Sequence, residues 1–259
     1  MSKEVAKAAT TAVADVSMFE GIPTGLESVT TKDLIIPRLT ILQALSPQVN
    51  ANKPEYIKDA KVGDFCDVGV GQIAKELVLV PVIFRKEFLR WGDRKSGKGL
   101  VNNYGTDDSI LKQTTKDEKG RNVMNDGSGD YIAETYQFFC INLSMNNRYS
   151  FYPMASTNLK NARRWLTLLT QEELQGKNGK FTAPMFYRAW HVTSVPTSNS
   201  QGDWYAPKFE PAQPIMELFP DGSLLKAAKE FMEQAKSGLV RGDLGADDEA
   251  EGDSSKAAM

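Results

Sequence analysis

The sequence predicts a mainly β protein with helices (α+β): an OB-like antiparallel barrel with long loops, one inserted helix and a C-terminal helix. Three observations carry this. ELVLVPVIFRKEFLRW and YIAETYQFFCINLS are strand-like runs rich in β-branched and aromatic residues. PMFYRAWHVTSVPT and DWYAPKFEP flank TSNSQG, whose residue types suit a hairpin turn. Only two stretches have clear helical period. Another α+β sheet domain or a β-sandwich would use the same inventory.

In chain order, residues 1–30 read as a loosely ordered N-terminal segment, residues 31–238 as a single β-rich nucleic-acid-binding domain, and residues 239–259 as a disordered acidic tail. Within DLIIPRLTILQALSPQV, Pro37 bars a through-going helix, and RLTILQALS is expected to form a short one. VGDFCDVGV turns into a short strand. Pro81 inside ELVLVPVIFRKEFLRW implies an edge position, a bulge or a break. Residues 92–130 are dense in Gly, Asn, Asp and Lys and read as one long mobile loop. After the strand YIAETYQFFCINLS, Asn146 and Asn147 suit a tight turn, because Asn tolerates positive φ, and RYSFYPM returns as a strand. In STNLKNARRWLTLLT, Ser156 or Thr157 is the expected cap, and Leu159, Ala162, Leu166 and Leu169 give an apolar stripe. DGSLLKAAKEFMEQAKSG is amphipathic along Leu224, Leu225, Ala228, Phe231 and Ala235, with Gly238 as its stop.

Composition narrows the function. The 259 residues are 41% hydrophobic and 25% charged, with no run of 18 apolar residues, so no membrane span and no membrane partner is expected. The N-terminus lacks a continuous apolar stretch of the secretory kind. Cys66 and Cys140 are the only cysteines, and they fit a reducing cytoplasm as small buried hydrophobes. His191, the single histidine, lies in the alternating run FYRAWHVTSV. One His and two distant Cys supply no ordinary zinc site, and no metal, cofactor or catalytic residue is expected. Gly92 to Lys98 reads G-x-x-x-x-G-K, but Gly99 stands where a P-loop needs the Ser or Thr that ligates Mg²⁺. The residues after Lys98, GLVNNYGTDDS, open no helix. The stretch reads instead as a basic loop.

Charge is unevenly spread. Of 31 bases and 33 acids, residues 243–259 hold one base and six acids: Asp243, Asp247, Asp248, Glu249, Glu251 and Asp253. The rest carries 30 bases against 27 acids. Bases there recur beside aromatics in FRKEFLRWGDRKSGK, RYSFYPMASTNLKNARRW and MFYRAWH. Bases that hold phosphate and rings that stack on nucleobases are the composition of a single-strand-binding surface. The competing reading is strand alternation, with rings to the core and charge to water. On the first reading Arg85, Lys86, Arg90, Arg94, Lys95, Lys98, Arg148, Lys160, Arg163, Arg164 and Arg188 contact nucleic acid, and Trp91, Tyr149, Tyr152, Trp165 and Trp190 stack. The tail would compete for the same groove, solubilise the protein, or recruit partners.

An aromatic and basic β-rich body with an acidic C-terminal tail resembles the single-stranded DNA-binding proteins of tailed bacteriophages. KDLIIPRLTILQALSPQV, VGDF and VLVPVIF also resemble small proteins of phage replication modules, over residues 32–90. The resemblance implies an OB-fold that coats exposed strands without sequence preference in the host cytoplasm, and a tail that recruits replication proteins. The final SSKAAM departs from the aromatic or hydrophobic ending usual in such tails. Two rivals stand beside it: a virion or assembly protein, and a Mg-dependent nucleic-acid enzyme. DNA versus RNA, and whether the chain is a homo-oligomer, stay open.

Overall fold

In the computed structural model the described residues are 35–93, 96–199, 202–237 and 240–244, with positions 21–23, 25 and 28. The chain begins with β1 (Ile35–Ile36), β2 (Leu39–Ile41), β3 (Phe65–Asp67) and β4 (Gln72–Ala74). It continues through β5 (Glu76–Trp91), β6 (Leu100–Asn103), β7 (Thr114–Lys116), β8 (Asn122–Met124), β9 (Tyr131–Asn142) and β10 (Arg148–Ala155). Helix α1 (Leu159–Thr170) leads to a small hairpin of β11 (Glu173–Gly176) and β12 (Gly179–Thr182). Then come β13 (Arg188–Asn199), β14 (Gly202–Pro214), α2 (Ile215–Leu218), α3 (Ser223–Lys236) and β15 (Arg241–Gly242).

The protein is mainly β with few helices. Its main sheet is a curled antiparallel half-barrel along the path β14-β13-β5-β9-β8-β7, with β10 added to β9 and β6 to β5. The spine is the β5–β9 pair, which runs from Leu79 opposite Asn142 to Trp91 opposite Tyr131. Pro81 sits at a bulge, where the register shifts before Ile83. One extra residue there reverses the alternation of β5. Leu77, Leu79 and Phe84 therefore share the face that packs on α1, whereas Val80, Val82 and Ile83 share the face that packs on α3. The first core centres on Phe138, Trp165 and Trp190, the second on Phe139, Phe151 and Phe231. The edge strand β14 carries Pro207, Pro211 and Pro214, which have no amide to offer an added strand.

Three local expectations are corrected. RLTILQALS is not a helix: Leu39–Ile41 pairs antiparallel with β3, because its apolar run is needed as a short buried strand. Residues 92–130 are not one loop. They hold β6, a 3-10 turn at Asp108–Gln113, and β7 with β8, gathered on a small core of Phe88, Ile110, Met124 and Ile132. The β11–β12 hairpin joins the expected elements as an addition. Helix α1 starts from Asn158 rather than being capped by Ser156 or Thr157, and those residues form a 3-10 turn ahead of it. By contrast, Asn146 and Asn147 do adopt positive φ, 57° and 55°.

The body extends past residue 238. Val240 to Leu244 lies on the sheet: β15 pairs in parallel with β1, and the Asp243 amide donates to the Ile36 carbonyl at 3.0 Å. Arg85 holds this strap, donating from Nη1 to the Val240 carbonyl at 3.2 Å and from Nη2 to the Ala235 carbonyl. Gly242 is required there, since a Cβ would stand 2.2 Å from the buried Phe151 ring. Gly238, residues 245–259 and nearly all of 1–30 lie outside the described residues.

Candidate nucleic-acid interface

The rings expected to stack on bases face other rings instead. Trp91 (3% exposed), Tyr152 (3%), Trp165 (0%) and Trp190 (2%) are buried. Trp165 lies stacked between Phe138, 4.5 Å away, and Phe209, 4.1 Å away, with Trp190 edge-on at 6.1 Å. Tyr149 stacks on Phe231 at 4.0 Å and 5°. Strand alternation and the helical stripe turn Trp91, Tyr152, Trp165 and Trp190 inward, and the stacking role assigned to these four is corrected; Tyr149 is half-buried.

The basic side chains divide into three groups. Arg85, Arg90 and Arg188 are structural. Arg85 holds the strap and lies over the Phe139 ring at 4.9 Å. Arg90 meets one Asp130 oxygen from Nε at 2.7 Å and Nη2 at 2.6 Å, and also binds Asp126 and Ser128. Arg188 pairs with Glu172 at 2.6 Å and donates to the Ala212 carbonyl at 3.1 Å. The phosphate role expected of these three is replaced by internal contacts. Lys86 and Arg163 converge on Glu134, at 3.2 and 3.0 Å, on the sheet face opposite Arg85. Lys98, Arg148, Lys160 and Arg164 are exposed. Arg94, Lys95, Asp247, Asp248, Glu249, Glu251 and Asp253 lie outside the described residues. The stretch from Gly92 to Gly99 closes a turn from β5 to β6, with the Gly92 amide donating to the Gly99 carbonyl at 2.9 Å, and no helix succeeds it.

A cleft forms where the long strand β9 changes partners. Its outer edge pairs with β10 as far as Thr135 opposite Ala155, and with β8 from Ile132 opposite Asn122. Ala133 and Glu134 fall between these partners. The resulting cavity, about 340 Å³, is lined by Trp91 and Tyr131 and by Ser156 and Asn158 to Leu159 ahead of and at the start of α1. The β7–β8 hairpin supplies Lys116, Lys119 and Arg121. This cation set lies outside the basic residues singled out by sequence, because KDEKGRN interleaves its bases with acids.

Asp117 shapes the hairpin. Its Oδ1 accepts the amides of Lys119 and Arg121, at 3.0 and 2.8 Å, and its Oδ2 accepts Arg121 Nε at 2.8 Å. Burial alone would raise the Asp117 carboxyl, but these bonds and the Arg121 charge hold it below its ordinary value. The turn thus keeps Arg121 over the Tyr131 ring, at 5.3 Å. Chemically, the cleft offers charged donors in its lining, an arrangement suited to an anionic group.

Other reactive side chains lie elsewhere. Cys66 and Cys140 are buried, and burial pushes both thiols up, Cys66 to about 12, which suppresses the thiolate form. His191 Nε2 lies 3.1 Å from Glu76 at the sheet surface. Among the described residues no cluster of His, Cys, Asp or Glu could hold a metal ion, and no helix is long and apolar enough to cross a membrane.

The fold and cleft describe a β-rich protein with a cationic groove, and comparison with known proteins assigns it to bacteriophage. The family described as Pam3 phage gp34-like protein matches residues 3–241, and the chain belongs to that family. No curated protein and no solved structure matches it.

Proposed function

We propose that the protein binds single-stranded DNA without sequence preference during phage DNA replication or recombination, in the host cytoplasm and without catalysing a reaction. The observation that supports this reading best is the cleft beside β9. Lys116, Lys119 and Arg121 line a cavity of about 340 Å³ together with Trp91 and Tyr131. Lys86 and Arg163, anchored on Glu134, and the exposed Lys160 extend the cationic surface around it. A cavity of about 340 Å³ has room for a nucleotide of an unpaired strand but not for a duplex. The curled half-barrel serves as an OB-type platform, on which affinity comes mainly from phosphate contacts.

The tail belongs to the same reading. Leu244, the last described residue, packs against the cluster of Leu89, Trp91 and Tyr131, of which Trp91 and Tyr131 also line the cleft. In this reading the acids of the tail compete with DNA for the cleft's cations, and once displaced they are available to replication proteins.

The test is anisotropy of a labelled oligo-dT titrated with the protein at several salt concentrations. Binding that weakens with salt at a log–log slope of about −2 to −4 corresponds to roughly three to six phosphate contacts. Absence of binding at low salt overturns the reading and favours an assembly role. Divalent-dependent cleavage of the oligonucleotide would instead make the protein an enzyme.

A further inference from the structure

Of the four tryptophans, Trp91, Trp165 and Trp190 are buried, and Trp204 alone is half-buried. It stands on β14 opposite Thr197, next to Tyr205 opposite Pro196. With Val62 and Gln43 these residues line a second groove of about 400 Å³, at the base of the β13–β14 hairpin tip.

The groove is built rather than incidental. The Gln43 side-chain amide reproduces a strand pairing with β14: its Nε2 donates to the Tyr205 carbonyl at 2.9 Å, and its Oε1 accepts the Tyr205 amide at 2.9 Å. Ser194 Oγ donates to the Gly63 carbonyl from the neighbouring strand. Gly63, at φ 92°, lies flat on the Tyr205 ring, where a Cβ would come within 2.7 Å. These contacts lock the loop between β2 and β3 against the hairpin and fix the Tyr205 backbone beside Trp204.

One chain segment lines both the cleft and the groove. Thr40 and Ile41 line the cleft, and Gln43 and Ala44 line the groove. Extended chain advances about 3.3 Å per residue, so Thr40 of the cleft and Gln43 of the groove lie within about 10 Å of each other along the backbone.

We propose that the Trp204 groove takes an unpaired base of the strand whose phosphates the cleft holds. The proposal rests on the reading given under Proposed function. A base is the occupant that matches the walls. It has a flat apolar face for Trp204 and a polar edge for Thr197, Ser198 and Asp203, which also line the groove. It supplies the stacking contact that the buried rings cannot make.

Tryptophan emission tests this directly, because one indole of the four reaches solvent. Oligo-dT is expected to quench part of the emission of the wild type, and Trp204→Phe is expected to abolish that quenching. Trp204→Ala is expected to weaken binding by roughly 5- to 150-fold, with the salt slope unchanged because no phosphate contact is lost. Quenching that persists in Trp204→Phe, or Trp204→Ala binding as tightly as wild type, overturns the base site and leaves the cleft reading intact. Emission that shifts with protein concentration in the absence of DNA would mean that a second copy fills the groove, which also overturns it. If wild type binds no oligonucleotide, the cleft reading and the base site fall together.

Discussion

Removing Arg90 separates a phosphate contact from an internal strut. The guanidinium approaches one oxygen of Asp130 from two nitrogens, and the side chains are 17% and 3% exposed. The other Asp130 oxygen is buried and has no hydrogen-bond partner among the described residues. Arg90→Ala therefore leaves a buried carboxylate without its charge partner, a change that costs about 3–5 kcal/mol. For a domain of this size that lowers Tm by roughly 6–20 °C. The double variant Arg90→Met/Asp130→Leu replaces the pair with apolar groups of similar volume and is expected to recover most of the loss. Thermal unfolding followed by circular dichroism, beside oligo-dT affinity on the folded variants, reads both quantities. An Arg90→Ala protein with unchanged Tm and weakened DNA binding would refute the reasoning and return Arg90 to the phosphate-binding set.

The same geometry sets three further outcomes. Gly242→Ala places a methyl 2.2–2.4 Å from ring atoms of the buried Phe151, so the strap must lift, and hydrogen exchange at the Asp243 amide is expected to lose its protection. Retained protection would show that Phe151 can move aside. Asp126 is held at about 2, first by hydrogen bonds from Ser128 and then by Arg90, and Ser109 and Ser223 likewise hold Asp107 and Asp221 below their ordinary values. Folded values below the unfolded ones contribute stability above about pH 4 that is lost as pH falls toward 2, so Tm is expected to drop in that window. Asp126→Asn should flatten part of the drop, and an unchanged profile would contradict the assignment. Truncation after Leu244 keeps the strap and removes the acids of 247–253; it is expected to tighten oligo-dT binding at low salt, and equal or weaker binding would end the competition idea.

The long strands are legible because their signals are local. β5 and β9 announce themselves by β-branched and aromatic runs, and Pro81 announces a disruption that the structure resolves as a bulge. Leu39–Ile41 is not legible, since three apolar residues read equally well as helix or strand until Phe65–Asp67 arrives to pair with them. The small core under residues 92–130 depends on Phe88 and Ile132, which lie outside that stretch. Burial of the rings is hidden because alternation assigns residues to two faces without saying that both are covered, here by α1 and α3. Trp165 does carry a usable signal: it falls between Ala162 and Leu169 on the stripe of α1, and all three are buried. The cations of the cleft escape notice because Asp117 and Glu118 dilute the run. Only the folded hairpin, in which Asp117 binds the Lys119 and Arg121 amides and the Arg121 side chain, brings the bases to the cleft.

The measurement that tests the central claim most directly compares the salt dependence of oligo-dT binding in wild type and Lys116→Ala/Lys119→Ala/Arg121→Gln. Each lost phosphate contact removes about 0.7 from the slope, so the triple variant should bind more weakly with a slope shallower by about 2. Equal slopes and affinities in two folded proteins would mean that the strand, if bound, runs elsewhere, and the cleft beside β9 would lose its role.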